Sequence, residues 1–274
     1  KVDKYNGEYT KTWVEDPNNT LTGGKWTDNI GDVSSGGNTP VVEGHMLNEY
    51  RYRSVYKGNG KYFNADGSVN PAGGPKGGMT RTEEDMNWVK AMMDAGYKFK
   101  PGNSIGKANI YYGDYIYADV NGDGVYGDSD DEEFQGRSKT PKYNFGFQAS
   151  AAWNGFDISM VWAGAAETEW GNNIAQRIAD DHYFYDPSNP DDPRTNINGK
   201  YPRMTYLDGN VQNNASSNRW LYNGDYIKLK NLSLGYTLPQ KWVTTVAMQN
   251  ARIYVSAENL LTITSFEGQD PESA

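Results

Sequence analysis

"KYNFGFQASAAWNGFDISMVWAGAA", residues 142–166, is the stretch that decides the fold class. Tyr143, Phe145, Phe147, Ala149, Ala151 and Trp153 fall on one face of an extended chain. Asn144, Gly146, Gln148, Ser150 and Ala152 fall on the other, because side chains alternate across a strand. Asn154-Gly155 follows, and both residues tolerate the positive φ that a type I′ hairpin turn requires. The return run puts Phe156, Ile158, Met160 and Trp162 on one face, against Asp157 and Ser159. No apolar stripe recurs at i, i+3, i+4, so the segment is a hairpin and not a helix.

Two later runs alternate in the same way, over 225–239 and 251–264. In the second, Ile253, Val255, Ala257, Leu261 and Ile263 oppose Tyr254, Ser256, Glu258, Thr262 and Thr264. In the first the phase slips: Ile227 and Leu229 are odd, whereas Leu232, Leu234 and Tyr236 are even. A β-bulge around Lys230-Asn231 accounts for that slip. A fifth strand is expected over 47–57, with Tyr50, Tyr52 and Tyr56 on one side and Arg51 and Arg53 on the other. The connections 58–141 and 167–218 are long, polar and rich in Gly, Pro, Asn and Asp. Within the first, Met86, Val89, Met92 and Met93 predict one short helix over 81–95.

Composition narrows the function classes. Hydrophobic residues make up 36% of the 274 and mean hydropathy is -0.83, low for a soluble protein with a deep core. The 21 Tyr, 8 Trp and 31 Gly suit half-buried strands and tight turns. With no Cys there is neither a disulfide framework nor a thiolate metal site. Only His45 and His182 are present, which argues against a His-based zinc site or a His-centred triad. The net charge of -9 argues against a nucleic-acid partner. No run of 18 apolar residues predicts a transmembrane helix. A transmembrane β-barrel, by contrast, hides its signal in the period-2 alternation found here. The chain starts at Lys1 with no Met or signal peptide, as expected for a mature product or a piece of something longer.

The apolar strand face meets either lipid or the core of a soluble sandwich. Short turns on one side with long loops on the other are the layout of an outer-membrane barrel. In that layout Tyr143, Trp153, Phe156, Trp162 and Tyr236, near strand ends, form a lipid-facing aromatic girdle.

Residues 119–130 have the spacing of a calcium loop. Asp119, Asn121 and Asp123 take the first three ligand positions and Gly124 the sharp turn. The carbonyl of Val125 follows, and Asp130 is the last ligand in place of the usual Glu. Flanking helices are not evident, so this is no EF-hand. The loop holds either a structural Ca²⁺ or nothing, as an acidic turn bent by Asn121-Gly122 and Asp123-Gly124. No pair of carboxylates stands out for glycosidase chemistry. The run Asp128, Asp130, Asp131, Glu132, Glu133 reads as a solvated face, as do Glu167 and Glu169. No catalytic residue and no redox or organic cofactor is expected. Trp170, Tyr183, Phe184, Tyr185, Tyr201 and Tyr206 lie in the loop 167–218. They are candidates either to stack on a substrate and face a lid, or to pack the loop against itself.

Four motifs in order carry a family resemblance: "YADVNGDGVYGDSD" (117–130), "PKYNFGFQASAAWNGFDISMVWAGA" (141–165), "YIKLKNLSLGYTLP" (226–239) and "RIYVSAENLLTITSFEGQDPE" (252–272). Over roughly 115–272 the chain resembles the C-terminal third of a SusC/RagA-type TonB-linked (TonB-dependent) outer-membrane transporter. Residues 45–57 resemble the family weakly and 1–44 carry no distinct signal.

The resemblance implies an all-β fold: about five strands of a 22-stranded antiparallel transmembrane β-barrel. The stretches 58–141 and 167–218 are then long extracellular loops. It implies an importer of large nutrients, oligosaccharide or peptide, and not an enzyme. Energy comes through TonB, a SusD-type surface lipoprotein is the lid, and the site is the outer membrane of a Gram-negative, Bacteroidota-type bacterium. The N-terminal plug, the TonB-contacting segment and the last strand of that family have no counterpart in these 274 residues. The partners expected are therefore the remainder of the barrel with its plug, TonB, the lipoprotein, substrate and membrane lipid. The alternatives from the residues alone are a secreted calcium-stabilised β-sandwich carbohydrate-binding module and a glycoside hydrolase.

Overall fold

The computed structural model describes residues 11–28, 44–45, 49–106, 108–138, 140–171, 198–203, 211–245, 247–266 and 270–272. It divides into two compact units, Lys1–Arg137 with Asn172–Leu221, and Ser138–Gly171 with Tyr222–Ala274.

In the first unit a hairpin of β1 (Lys11–Glu15) and β2 (Gly24–Asp28) precedes β3 (Glu49–Arg53), the expected fifth strand. β3 is shorter than expected, and it pairs with β6 (Glu132–Ser138) in a sheet of two, not with the long hairpin. Helix α1 runs over Glu83–Asp94. Its start is set by a reciprocal cap: Asp85 N donates to Thr82 Oγ1 at 3.2 Å, and Thr82 N donates to Asp85 Oδ2 at 2.9 Å. Glu83, Glu84 and Asp85 also place negative charge at the positive end of the helix dipole.

The apolar stripe of α1 buries Met86, Trp88, Val89 and Met92 against Phe99, Ile110, Ile116 and Tyr126. Phe99 and Tyr126 come from a parallel pair of short strands, β4 (Lys98–Phe99) and β5 (Val125–Tyr126). Trp88 is the centre that the methionine spacing did not announce. It is fully buried, stacks on Tyr56 at 5.6 Å and donates its indole N–H to Asn70 O at 2.9 Å. Gly74 lies under its ring, where a Cβ would stand 2.9 Å from the indole. Each such buried side chain stabilises by about 1.5–3 kcal/mol. The stretch read as a long polar loop with one short helix, 58–141, therefore carries its own core.

Residues 198–203 and helix α2 (Val211–Asn214) are pinned to this unit by polar groups. Gly102 N donates to the buried Gln212 Oε1 at 3.0 Å. Asp114, fully buried, takes a two-pronged contact from Arg203 Nε and Nη2 at 2.8 and 2.9 Å, with Asn213 Nδ2 at 2.7 Å. Burial pushes the Asp114 carboxyl upward, and the guanidinium and amide pull it back.

The second unit is an antiparallel sheet in the order β12-β11-β8-β7. Its strands are β7 (Tyr143–Trp153), β8 (Phe156–Ala166), β11 (Tyr226–Thr237) and β12 (Arg252–Thr264). Two short strands between them, β9 (Glu169–Gly171) and β10 (Leu221–Asn223), pair with each other. The β7–β8 turn is as expected, with φ of 48° at Asn154 and 86° at Gly155. Helix α3 (Gln240–Thr245) lies in the β11–β12 connection. The register of β11 shifts between Leu229 and Asn231 against both neighbours, where the sequence phase slips. Across that irregularity β8 advances from Met160 to Trp162, β11 from Leu232 to Leu229, and β12 from Ala257 to Leu261. Each strand outward from β8 thus carries one residue more than the last, and Asn259 takes up the excess in β12 with φ of 52°.

Candidate functional site

The register assembles one apolar face from four strands. Trp153 pairs with Phe156, Phe156 with Tyr236, and Tyr236 with Ile253. Two residues on, Ala151, Ile158, Leu234 and Val255 form the next row, then Ala149, Met160, Leu232 and Ala257. Much of this surface is open: Trp153 is 79% exposed, Val255 70% and Ile253 64%. Soluble proteins rarely leave so continuous an apolar sheet face uncovered. Where the backbones come close, aromatic rings fill the gaps. Phe145 lies over Gly164, leaving no room for a Cβ there, and Phe147 stacks on Trp162 at 5.8 Å.

The girdle candidates separate on this face. Trp153, Phe156 and Tyr236 gather at the hairpin end, with Phe156 and Tyr236 rings 4.4 Å apart, and Tyr143 stands at the other end of β7. Trp162 is not near a strand end. It pairs with Phe147 and Leu229, well inside the sheet, and is half-buried.

The opposite face is polar: Gln148, Ser150, Asp157, Ser159, Lys228, Ser233, Arg252, Ser256 and Glu258 lie on it. Asp157 of β8 and Arg252 of β12 meet across the central strand β11, with Arg252 Nε donating to Asp157 Oδ2 at 3.0 Å. They reach each other because the intervening residue is Gly235, where any Cβ would collide with both side chains.

The acidic loop of the first unit is held by its own backbone. Asp119 Oδ1 accepts from Gly122 N at 2.6 Å, and its Oδ2 from Gly124 N at 2.9 Å. Asn121 Oδ1 accepts from Asp123 N at 2.9 Å, and Asp123 Oδ1 from Val125 N at 2.8 Å. Asp130, expected as the closing ligand, instead turns out to Lys25 at 2.7 Å. Asp131 is the residue that closes the loop. It is fully buried, with Oδ1 accepting from Val120 and Asn121 N at 2.6 and 3.1 Å, and Oδ2 from Gly127 N at 2.8 Å.

Sequence spacing pointed one residue short, because the run Asp128–Glu133 offers several carboxylates and spacing cannot tell which is turned inward. Burial pushes the Asp131 carboxyl up to about 7, against the pull of the N–H donors, and Asp119 and Asp128 are also raised by burial. Among the described residues no three carboxylate or imidazole groups gather round a position that would hold a metal. The hairpin β1–β2 braces this loop: Trp26 N donates to Asn121 O and Asn19 Nδ2 to Asp123 O, both at 2.7 Å.

Of the loop aromatics, Tyr183 and Tyr185 lie outside the described residues, as does the side chain of Trp170 in β9. Tyr201 is not an outward-facing candidate. It is only 7% exposed, and its ring covers the Arg219 guanidinium at 5.0 Å, which also donates to Tyr115 Oη at 2.6 Å.

No known family profile matches the chain. Two TonB-dependent receptors of Formosa agariphila are similar to it. Receptor P3 is 29% identical over 186 residues, 65% of this chain and 17% of its own length. Receptor P26 is 27% identical over 177 residues, 58% of this chain and 16% of its own. The chain spans about a sixth of the length of these curated relatives. Among solved structures, the RagAB peptide importer in the open-open state is 25% identical with a TM-score of 0.43, matching 59% of this chain and 18% of that one. The RagAB peptide transporter is 22% identical with a TM-score of 0.44, over 59% and 18%. The resemblance carried by the four motifs is borne out: over 58–65% of its length this chain is similar in sequence to TonB-dependent receptors.

Proposed function

We propose that this chain forms part of the wall and the extracellular loops of an outer-membrane importer that takes large nutrients into the periplasm at the expense of TonB-transmitted energy. The observation that carries the reading is the four-stranded sheet with a continuous exposed apolar face and a polar opposite face. In a barrel the first meets lipid and the second lines the lumen. Strands of 11 to 13 residues are long enough to cross the hydrocarbon when tilted. The similarity to TonB-dependent receptors supports the same role. The barrel of 22 strands, the SusD-type lipoprotein as lid and an oligosaccharide or peptide as cargo belong to the proposal. So does the extracellular place of the folded stretch within 58–141.

The test is extraction from outer membranes in mild detergent, followed by intact mass. A barrel-sized chain with a co-purifying surface lipoprotein is expected. A lone soluble species of 30.6 kDa would overturn the reading in favour of a secreted sandwich. A structural Ca²⁺ at the acidic loop is a separate proposal and rests on the Asp119-Asn121-Asp123-Gly124 spacing. Its ligands would be Asp119, Asn121, Asp123 and the Val125 carbonyl, with a carboxylate of the Asp130-Asp131 pair closing the shell. A melting temperature indifferent to both added Ca²⁺ and chelator would remove it.

A further inference from the structure

The bulge in β11 has a consequence for charge. Without it, Lys228 and Lys230 would share a face with Leu232, Leu234 and Tyr236, placing two ammonium groups on the apolar surface. The register shift between Leu229 and Asn231 moves Lys228 to the polar face, and the bulged Lys230 reaches the same Glu272 carboxylate as Lys228 does. There they meet the turn that follows β12. Lys228 Nζ donates to Asp270 Oδ2 and, at 3.1 Å, to Glu272 Oε2. Lys230 Nζ donates to both oxygens of Glu272, at 2.5 and 2.6 Å.

The turn is preformed to receive them. Glu272 N donates to Asp270 Oδ1 at 3.0 Å, and Pro271 between them is buried. At the start of the segment Phe266 is buried edge-on to Tyr222, and its N–H donates to Thr264 Oγ1 at 3.0 Å. Lys228 is only 3% exposed. A lysine so covered is costly unless its charge is matched, and two carboxylates match it.

We propose that Asp270–Pro271–Glu272 is a strap latched by ion pairs onto Lys228 and Lys230. The latch fixes Asp270–Pro271–Glu272 against the polar side of β11. Two carboxylates shared between two lysines form a network, which holds better than isolated surface pairs and weakens as salt rises. The latch stands on the sheet alone. Its placement inside a lumen rests on the barrel reading, and there the strap narrows the passage beside β11 and β12.

The test is hydrogen exchange on the full-length chain in detergent, following amides of 265–272 with those of 143–166 as internal control. Exchange of 265–272 is expected to quicken about tenfold in Lys228→Glu/Lys230→Glu. It should return towards the original rate when Asp270→Lys/Glu272→Lys is added. Unchanged exchange, or failure of the charge swap to restore it while 143–166 stays protected, overturns the proposal. If the lysine changes unfold the hairpin, Asp270→Asn/Glu272→Gln decides, since it leaves β11 untouched: faster exchange sustains the latch and an unchanged rate ends it. Heat-modifiable migration of the same samples reports on the barrel separately, so the two readings fail independently.

Discussion

At the scale of single residues, Asp130 and Asp131 show how neighbouring carboxylates take opposite roles. Asp131 sits inside the acidic loop and satisfies N–H groups from both of its sides, whereas Asp130 reaches out to Lys25. Removing an acceptor from buried donors costs the desolvation of those donors, about 1–3 kcal/mol. An exposed ion pair contributes about 0.2–1 kcal/mol. Asp131→Ala is therefore expected to lower the denaturation midpoint clearly and quicken exchange over 119–128, with Asp130→Ala near neutral. Equal effects would mean that the closing side chain has been misassigned. The sequence made the loop visible through its Asx-Gly spacing, but not which of several adjacent acids turns inward. That depends on how β1–β2 and β6 approach the loop.

At the scale of elements, the strands and α1 answer to different environments. α1 is stabilised by its cap and by the core under it. Thr82→Ala should cost about 1 kcal/mol and Trp88→Ala about 3–5 kcal/mol, read as shifts in the melting of the first unit. A smaller loss for Trp88 than for Thr82 would show that the helix stands without its core.

The long strands have no such core on either side among the described residues. In the proposed barrel, Leu232→Arg on the apolar face is expected to cost about 2–4 kcal/mol, while Ser233→Arg on the polar face stays within about 0.5 kcal/mol. Folding titrations into lipid vesicles would measure both. Equal tolerance at the two positions would contradict a lipid-facing surface. Alternation alone exposed these strands and their faces, and a broken phase exposed the bulge. The folded stretch between 58 and 138 was harder to see. Its core is drawn from short strands and turns (Phe99, Ile110, Ile116, Tyr126), none of which has a period long enough to register.

At the scale of the whole molecule, the two units differ in what they need. The first buries a cluster of its own around Trp88 and Phe99, and the second exposes the apolar face of its sheet. β7 and β12 are the edges of that sheet, each with one neighbour among the described residues. An apolar face is incompatible with water and open edges with lipid, and in the proposed barrel further strands pair both edges. The 274-residue chain alone in aqueous buffer is thus expected to associate or precipitate, and to become dispersed in detergent. Sedimentation showing a stable monomer with one cooperative melt in plain buffer would contradict this.

What the sequence by itself determined was the local order: which residues face which way in the long strands, where the type I′ turn falls, where the phase breaks and where α1 runs. These follow from side-chain period and from the φ preferences of Asn and Gly, which act over a few neighbouring residues. Only the tertiary structure decided that β3 leaves the long sheet for β6, that Tyr201 is spent covering Arg219, that Asp131 displaces Asp130, and that Lys228 and Lys230 hold the turn after β12. Each of those joins residues far apart in the chain. Their pairing depends on burial and on competition among many similar groups, and neither is written in any one segment.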